Sequence, residues 1–124
     1  HIDSHRHIHL FPPIFKILSP IFKKYNVYKI RWLNIPFFDY GNLNINKISF
    51  ILMLQYTKFF KNKEFIHPDY FVGFCKSGGM YKNYIINVLT KLRPGITEIN
   101  FHPGTDDQQI RDKYGCWAEY YRWE

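Results

Sequence analysis

Apolar residues recur along the chain at two spacings, one typical of strands and the other typical of helices. Residues 1–10 alternate with a period of two, and the polar face carries His1, Asp3, His5, His7 and His9. The opposite face is mainly apolar. Successive side chains of a strand point to opposite faces. The pattern therefore predicts a strand whose polar face lines a site.

The rest of the chain predicts a regular alternation of helices and strands. Apolar residues at helical spacing predict a helix over 12–25, which Pro20 should kink or split, helices over 47–60 and 80–92, and a further helix beginning near Tyr114. Short apolar runs predict strands over 27–33, 70–75 and 96–101. Strands that alternate with helices are typical of an α/β fold, so we expect about four mostly parallel strands with intervening helices.

Polar residues that suit chemistry stand where the predicted strands end. These are His5 to His9, Arg31, the loop 77–79 and His102. Open α/β sheets and β/α barrels place their sites at the C-terminal ends of their strands. The sequence therefore predicts that these residues meet at one edge of the sheet.

The first ten residues are rich in metal-ligand chemistry. The neutral imidazole is the commonest metal ligand in proteins, and Asp3, His5, His7 and His9 would share one face of a strand. Such nitrogen and oxygen ligands suit Mg, Mn, Zn, Fe or Ni, and the residues alone do not choose among them. A solvated, histidine-rich edge is the alternative interpretation.

His102 precedes Pro103 and Gly104 at the end of the last predicted strand. A histidine has an unperturbed pKa of about 6.5, which suits a general acid or base at neutral pH. The alternative is a turn histidine that caps a backbone group.

Length and composition narrow the class of protein further. The chain has 124 residues, which is enough for one domain, whereas a complete β/α barrel needs about 250 residues. The net charge is +7, but the lysines are scattered, so we expect no nucleic-acid partner. No apolar run is long enough to predict a membrane span. Cys75 and Cys116 form neither a metal-type pair nor a disulfide framework, so we expect two thiols in a reducing compartment and a cytoplasmic location.

Two segments resemble a known family. Residues 1–12 (HIDSHRHIHLFP) are similar to the Asp-Ser-His-x-His-x-His segment of the YdjC-like carbohydrate deacetylases, and residues 97–104 (TEINFHPG) resemble that family's later Glu-x-x-x-His-Pro-Gly strand end. The resemblance implies a metal-dependent hydrolase on a TIM-barrel-like fold, which removes acetyl groups from N-acetylated amino sugars by cleaving a C–N bond.

The resemblance also implies roles for individual residues. His5 would be a metal ligand and His102 the catalytic acid, and the site would be lined by Asp3, His7, His9, Arg31, Pro103 and Gly104. We expect a divalent metal, Mg first and Zn or another ion as alternatives, and the full-length protein could form a homodimer. The family's Asp-Asp segment and its other metal histidine have no match in the chain.

We therefore expect residues 1–124 to be a single incomplete domain, the C-terminal half of a longer deacetylase that is inactive in isolation. Two alternatives stay open. One is another barrel-type metal-dependent hydrolase, similar to amidohydrolases or phosphoesterases. The other is a non-enzymatic metal-binding relic.

Overall fold

The computed structural model describes residues 1–40, 48, 52, 64–76, 79–103 and 108–114. The helices are α1 (Pro12–Lys24), α2 (Lys82–Thr90) and α3 (Gln108–Tyr114), and the strands are β1 (Tyr70–Val72) and β2 (Thr97–Ile99). Short 3-10 helices cover His5–Leu10 and Phe37–Asp39. Ile48 and Leu52 are helical, and the rest of the helix predicted over 47–60 lies outside the described residues.

The strands β1 and β2 are parallel, with Tyr70 opposite Thr97 and Val72 opposite Ile99. Isolated parallel bridges extend this pairing to two earlier segments, because Ile2 pairs with Ile30 and Lys29 pairs with Ile66. The predicted mixture of helices with parallel strands is thus confirmed, and each strand is shorter than predicted. Closure of the domain into a barrel stays a prediction.

The strand predicted over residues 1–10 is wrong. Only Ile2 pairs with another segment, and His5–Leu10 forms a 3-10 helix with Arg6 and His7 in the left-handed region at φ 55°. The predicted common face of His5, His7 and His9 is therefore absent: the three side chains are exposed, half-buried and buried respectively. Local hydrogen bonds between Ser4 and His9 replace the pairing that a strand would need.

Two clusters of buried side chains form the core. The larger cluster lies beneath α1, where the ring of Phe15 packs edge-on against Trp32 and Phe65 at centroid distances of 6.0 and 5.8 Å. The smaller cluster packs Val88 of α2 against Val72 of β1. The helices α1 and α2 thus present their apolar sides to the extended segments, as their periodicity predicts. Among the described helices, none is both long enough and apolar enough to cross a membrane.

Gly73 allows the chain to turn immediately after β1. Its φ is +104°, and a Cβ atom at this position would lie 2.5 Å from the carbonyl oxygen of Asn100. We expect Gly73→Ala to lower the free energy of unfolding by about 1–3 kcal/mol, because the left-handed backbone and the close approach both penalise a side chain. Urea denaturation of the two proteins measures the difference.

Gly79→Ala is the matched control, because among the described residues a Cβ atom there would meet only the Lys76 carbonyl oxygen, at 3.4 Å. This variant should keep the parent stability. Equal losses in the two variants would show that the loss at Gly73 has another cause than its backbone.

Candidate functional site

Arg31 connects three of the extended segments through its side chain. Its Nε donates a hydrogen bond of 2.6 Å to Oε1 of Glu98 in β2, and its Nη2 lies 3.1 Å from Oδ2 of Asp3. The guanidinium stacks on the ring of Phe71 in β1, 5.3 Å from the ring centroid. The side chain of Arg31 is only 14% exposed. The guanidinium therefore contacts other groups of the protein through both its charge and its flat face. These contacts hold the segments in fixed positions relative to one another.

Both ring nitrogens of His9 are engaged. Nδ1 lies 2.6 Å from the hydroxyl oxygen of Ser4, and Nε2 lies 3.0 Å from the carbonyl oxygen of Arg31. The residue is 1% exposed, and burial lowers the pKa of the imidazole. His9 is consequently neutral at pH 7.

His7 is held in an aromatic environment. Its ring contacts Phe71 and Phe74 at centroid distances of 5.4 and 5.7 Å. Burial, followed by the positive charge of Arg31, lowers the pKa of His7 to about 4. Its Nδ1 is buried without a hydrogen-bond partner among the described residues. The uncharged ring therefore has a buried nitrogen whose hydrogen-bonding capacity is not used by the described residues.

Acid is expected to destabilise the fold through His7. An unfolded histidine titrates near pH 6.5 and the folded His7 near pH 4, so the unfolded state binds more protons between these values. The contribution of His7 is fully present above pH 6.5 and is lost as the pH falls toward 4, by at most about 3 kcal/mol. Replacing His7 with phenylalanine should flatten this dependence, which urea denaturation between pH 4 and pH 7 measures.

The comparison between variants isolates the contribution of His7. Burial raises the pKa of the Asp39 carboxyl, so the folded state binds more protons there than the unfolded state does. The contribution of Asp39 to the free energy of unfolding therefore decreases as the pH rises, which is opposite in sign to the contribution of His7. His67→Phe is the control, since His67 packs beside Trp32 and not in this cluster. A His7→Phe profile as steep as that of the parent would contradict the assignment.

Most of the predicted site residues come together. The charge of His102 contributes to lowering the pKa of His7, and that of Asp3 acts to raise it, so both side chains lie near the His7 ring. His5 is exposed on the same 3-10 helix and is not one of the groups joined by the hydrogen bonds and ion pairs of Arg31 and His9. Pro103 is exposed beside His102, and Gly104 lies outside the described residues, as do Ser77 and Gly78.

The described residues offer an incomplete set of metal ligands. Among the described residues, no three His, Cys, Asp or Glu side chains come together closely enough to hold one. His9 has no nitrogen left for a metal, because both are hydrogen-bonded. The described part of the chain therefore does not form a complete metal site by itself.

Two residues that bind Arg31 and His9 were not assigned a role from the sequence. Glu98 accepts a hydrogen bond from Arg31 through Oε1. Its Oε2 lies 3.6 Å from Nε2 of His1, which is within ion-pair range but too long for a hydrogen bond. Ser4 receives and donates the hydrogen bonds that hold His9. The available signal for Glu98 was a charged residue in the middle of a short apolar strand.

A buried carboxylate supports the loop that follows β1. Asp39 is fully buried, accepts a hydrogen bond from the hydroxyl of Tyr84, and accepts a second one, of 3.2 Å, from the backbone N–H of Gly73. The next residue, Phe74, is the one that packs on His7. Through its bond to Gly73, Asp39 thus stabilises the loop that carries Phe74 and, with it, the aromatic environment of His7.

An apolar pocket lies elsewhere, between β1, β2 and the end of α2, where it is lined by Phe38, Tyr70, Val72 and Leu92 among others. None of the predicted site residues borders it. The chemistry of the side chains therefore favours the Arg31 cluster as the functional site.

Histidines and carboxylates grouped at the C-terminal ends of parallel segments are typical of the sites of α/β hydrolytic enzymes. The chain belongs to the YdjC-like protein family, whose model matches residues 1–122. The family predicted from the sequence is thus confirmed, and it supports a carbohydrate deacetylase-like function at the level of the family. No curated protein and no solved structure matches the chain.

Proposed function

We propose that this chain forms the site-bearing part of a metal-dependent carbohydrate deacetylase, which hydrolyses the acetamide C–N bond of an N-acetylated amino sugar. The observation that carries the proposal is the cluster of Asp3, His7, Arg31, Glu98 and His102 in a chain of the YdjC-like family. The cluster contains an exposed histidine, His102, and two carboxylates, of Asp3 and Glu98, that Arg31 holds.

The residues of the cluster have different roles in the proposed reaction. His102 is exposed and is our candidate for the group that protonates the departing amine, which is a poor leaving group unless protonated. Asp3 is 54% exposed and is oriented by Arg31, so it is able to accept a hydrogen bond from a sugar hydroxyl. Arg31 is committed to carboxylates and therefore orients Asp3 and does not itself grip the sugar.

We propose that the metal is divalent, Mg first, that His5 supplies one ligand, and that the other ligands come from residues outside those described. A divalent ion supplies polarisation of an amide carbonyl to such reactions. We also propose a cytoplasmic location, since the two cysteines of the sequence, Cys75 and Cys116, form no disulfide framework.

The first experiment measures acetate release from N-acetylated chito-oligosaccharides by the protein as its own gene encodes it. The same preparation is assayed in parallel for phosphate release from phosphoesters. Acetate release alone supports the deacetylase. Phosphate release alone would favour the phosphoesterase alternative, and neither product, from a preparation that binds a divalent metal, would favour a non-enzymatic metal-binding protein.

His5→Ala is expected to weaken metal binding. Removing a direct ligand should cost more than the roughly 10–100-fold in affinity that loss of an outer hydrogen-bond partner costs. Equilibrium dialysis against Mg²⁺, Mn²⁺ and Zn²⁺, read by plasma mass spectrometry, gives the stoichiometry. His67→Ala is the control and should bind metal like the parent, whereas unchanged binding by His5→Ala would remove His5 as a ligand.

A further inference from the structure

We propose that Ser4 and His9 form a positioning pair, which fixes the left-handed turn at Arg6 and His7 and the backbone of Arg31. The role is that of second-layer support for the site, so its catalytic consequence rests on the proposed function, whereas its structural consequence does not. His9 then differs in kind from His5 and His102, since it contacts neither metal nor substrate.

The hydrogen bonds define which nitrogen of His9 carries the proton. The carbonyl oxygen of Arg31 is only able to accept, so the Nε2 of His9, 3.0 Å away, donates to it. In a neutral imidazole Nδ1 is then an acceptor, and the Ser4 hydroxyl, 2.6 Å away, donates to it. The same Ser4 oxygen accepts the backbone N–H of His9 at 3.0 Å. One serine thus satisfies two groups of His9, and the ring is held in a single tautomer.

The pair closes a turn that L-residues rarely adopt. Arg6 and His7 have φ 55° with ψ 21° and 29°, a region that is costly for residues with a Cβ atom. The backbone N–H of His7 donates to the carbonyl of Ser4 at 2.9 Å. Ser4 therefore binds the chain on both sides of the turn, through its carbonyl at His7 and its hydroxyl at His9. This arrangement places the His7 ring against Phe71.

The pair also acts on Arg31 from a second direction. The backbone N–H of Arg31 donates to the carbonyl of Ile2 at 2.8 Å, and its carbonyl receives His9. Both backbone groups of Arg31 are therefore bound to residues 1–10, while its side chain reaches Asp3 and Glu98. A shift of the His9 ring would change the angle from which the guanidinium reaches both carboxylates.

The test compares Ser4→Ala and Ser4→Thr with the parent and with Ser19→Ala, which lies in α1. Long-range ¹⁵N NMR spectra of the imidazoles report the tautomer of each histidine. We expect protonated Nε2 at His9 in the parent, a shifted Nδ1 signal of His9 together with shifted His7 signals in Ser4→Ala, because Nδ1 loses its donor, and a return to the parent spectrum in Ser4→Thr, whose hydroxyl makes both bonds again. Ser19→Ala should match the parent.

Acetate release provides the second measurement. Ser4→Ala should lower kcat by about 10–100-fold, as loss of an outer hydrogen-bond partner does, with KM nearly unchanged, and Ser4→Thr should restore it. A parent His9 with the proton on Nδ1, or a Ser4→Ala protein with parent spectra, would overturn the pair. If Ser4→Ala does not fold, the parent tautomer and the Ser4→Thr spectrum decide. An inactive parent with the expected spectra would refute the deacetylase and leave the pair intact.

Discussion

Replacing His102 with alanine is expected to lower the rate of acetate release by about 10²–10⁴-fold while the metal content stays unchanged. The leaving group of amide hydrolysis is an amine, which departs only after it gains a proton. An imidazole with a pKa near neutrality gives up that proton readily at physiological pH. His102 is exposed just beyond β2 and acts electrostatically on His7, so it lies at the site and is open to a ligand.

The chain offers a matched control for this prediction. His67 is also followed by proline, but it precedes β1, whereas His102 follows β2, and its Nδ1 lies 3.0 Å from the Pro68 carbonyl oxygen. His67→Ala should therefore keep the parent rate. Turnover that is unchanged in His102→Ala would refute its role as the acid, and a parallel loss of metal would point to a ligand in its place.

The helices α1 and α2 and the parallel strand pair could be predicted from the sequence, because their apolar faces follow simple periods. The helix predicted over 12–25 is observed as Pro12–Lys24, and the one predicted over 80–92 as Lys82–Thr90. Proline at the start of the first helix is a local signal that needs no tertiary information. The strands predicted over 70–75 and 96–101 are observed in part, as β1 and β2.

The conformation of residues 1–10 could not be predicted in this way. Their alternation of polar and apolar residues fits a strand, but the decisive partner of His9 is the carbonyl of Arg31, which is 22 positions away. Periodicity contains no information about such a bond. The hydrogen bonds of Ser4 with His9 close the turn locally, and the alternation of side chains then no longer describes which of them share a face.

The sequence pattern concerns which residues lie at the candidate site and not which contacts they make with one another. Alternation of strands and helices is enough to place Asp3, Arg31 and His102 at one edge. The partnership of Arg31 with Glu98 spans 67 positions and depends on the stacking order of the segments, which the pattern does not specify. Arg31 was expected to line the site, and the structure shows its side chain bound to two carboxylates.

Replacing Arg31 with leucine is expected to lower the free energy of unfolding by about 3–5 kcal/mol, because it leaves a poorly exposed carboxylate without its cation. The side chain of Glu98 is 19% exposed, and one of its oxygens already lacks a hydrogen-bond partner among the described residues. The link to Asp3 adds little, since that carboxylate is 54% exposed and its attraction is screened by water. Urea denaturation measures the loss.

A double-mutant cycle separates the ion pair from the packing of Arg31 on Phe71. If the unpaired charge of Glu98 dominates, Arg31→Leu combined with Glu98→Gln should be more stable than Arg31→Leu alone, because the second change removes that charge. If packing on Phe71 dominates, the second change should bring no recovery. Arg93→Leu is the control, since Arg93 is exposed, and it should change stability by no more than about 0.5 kcal/mol. A loss as small in Arg31→Leu would show that the guanidinium does not hold the segments together.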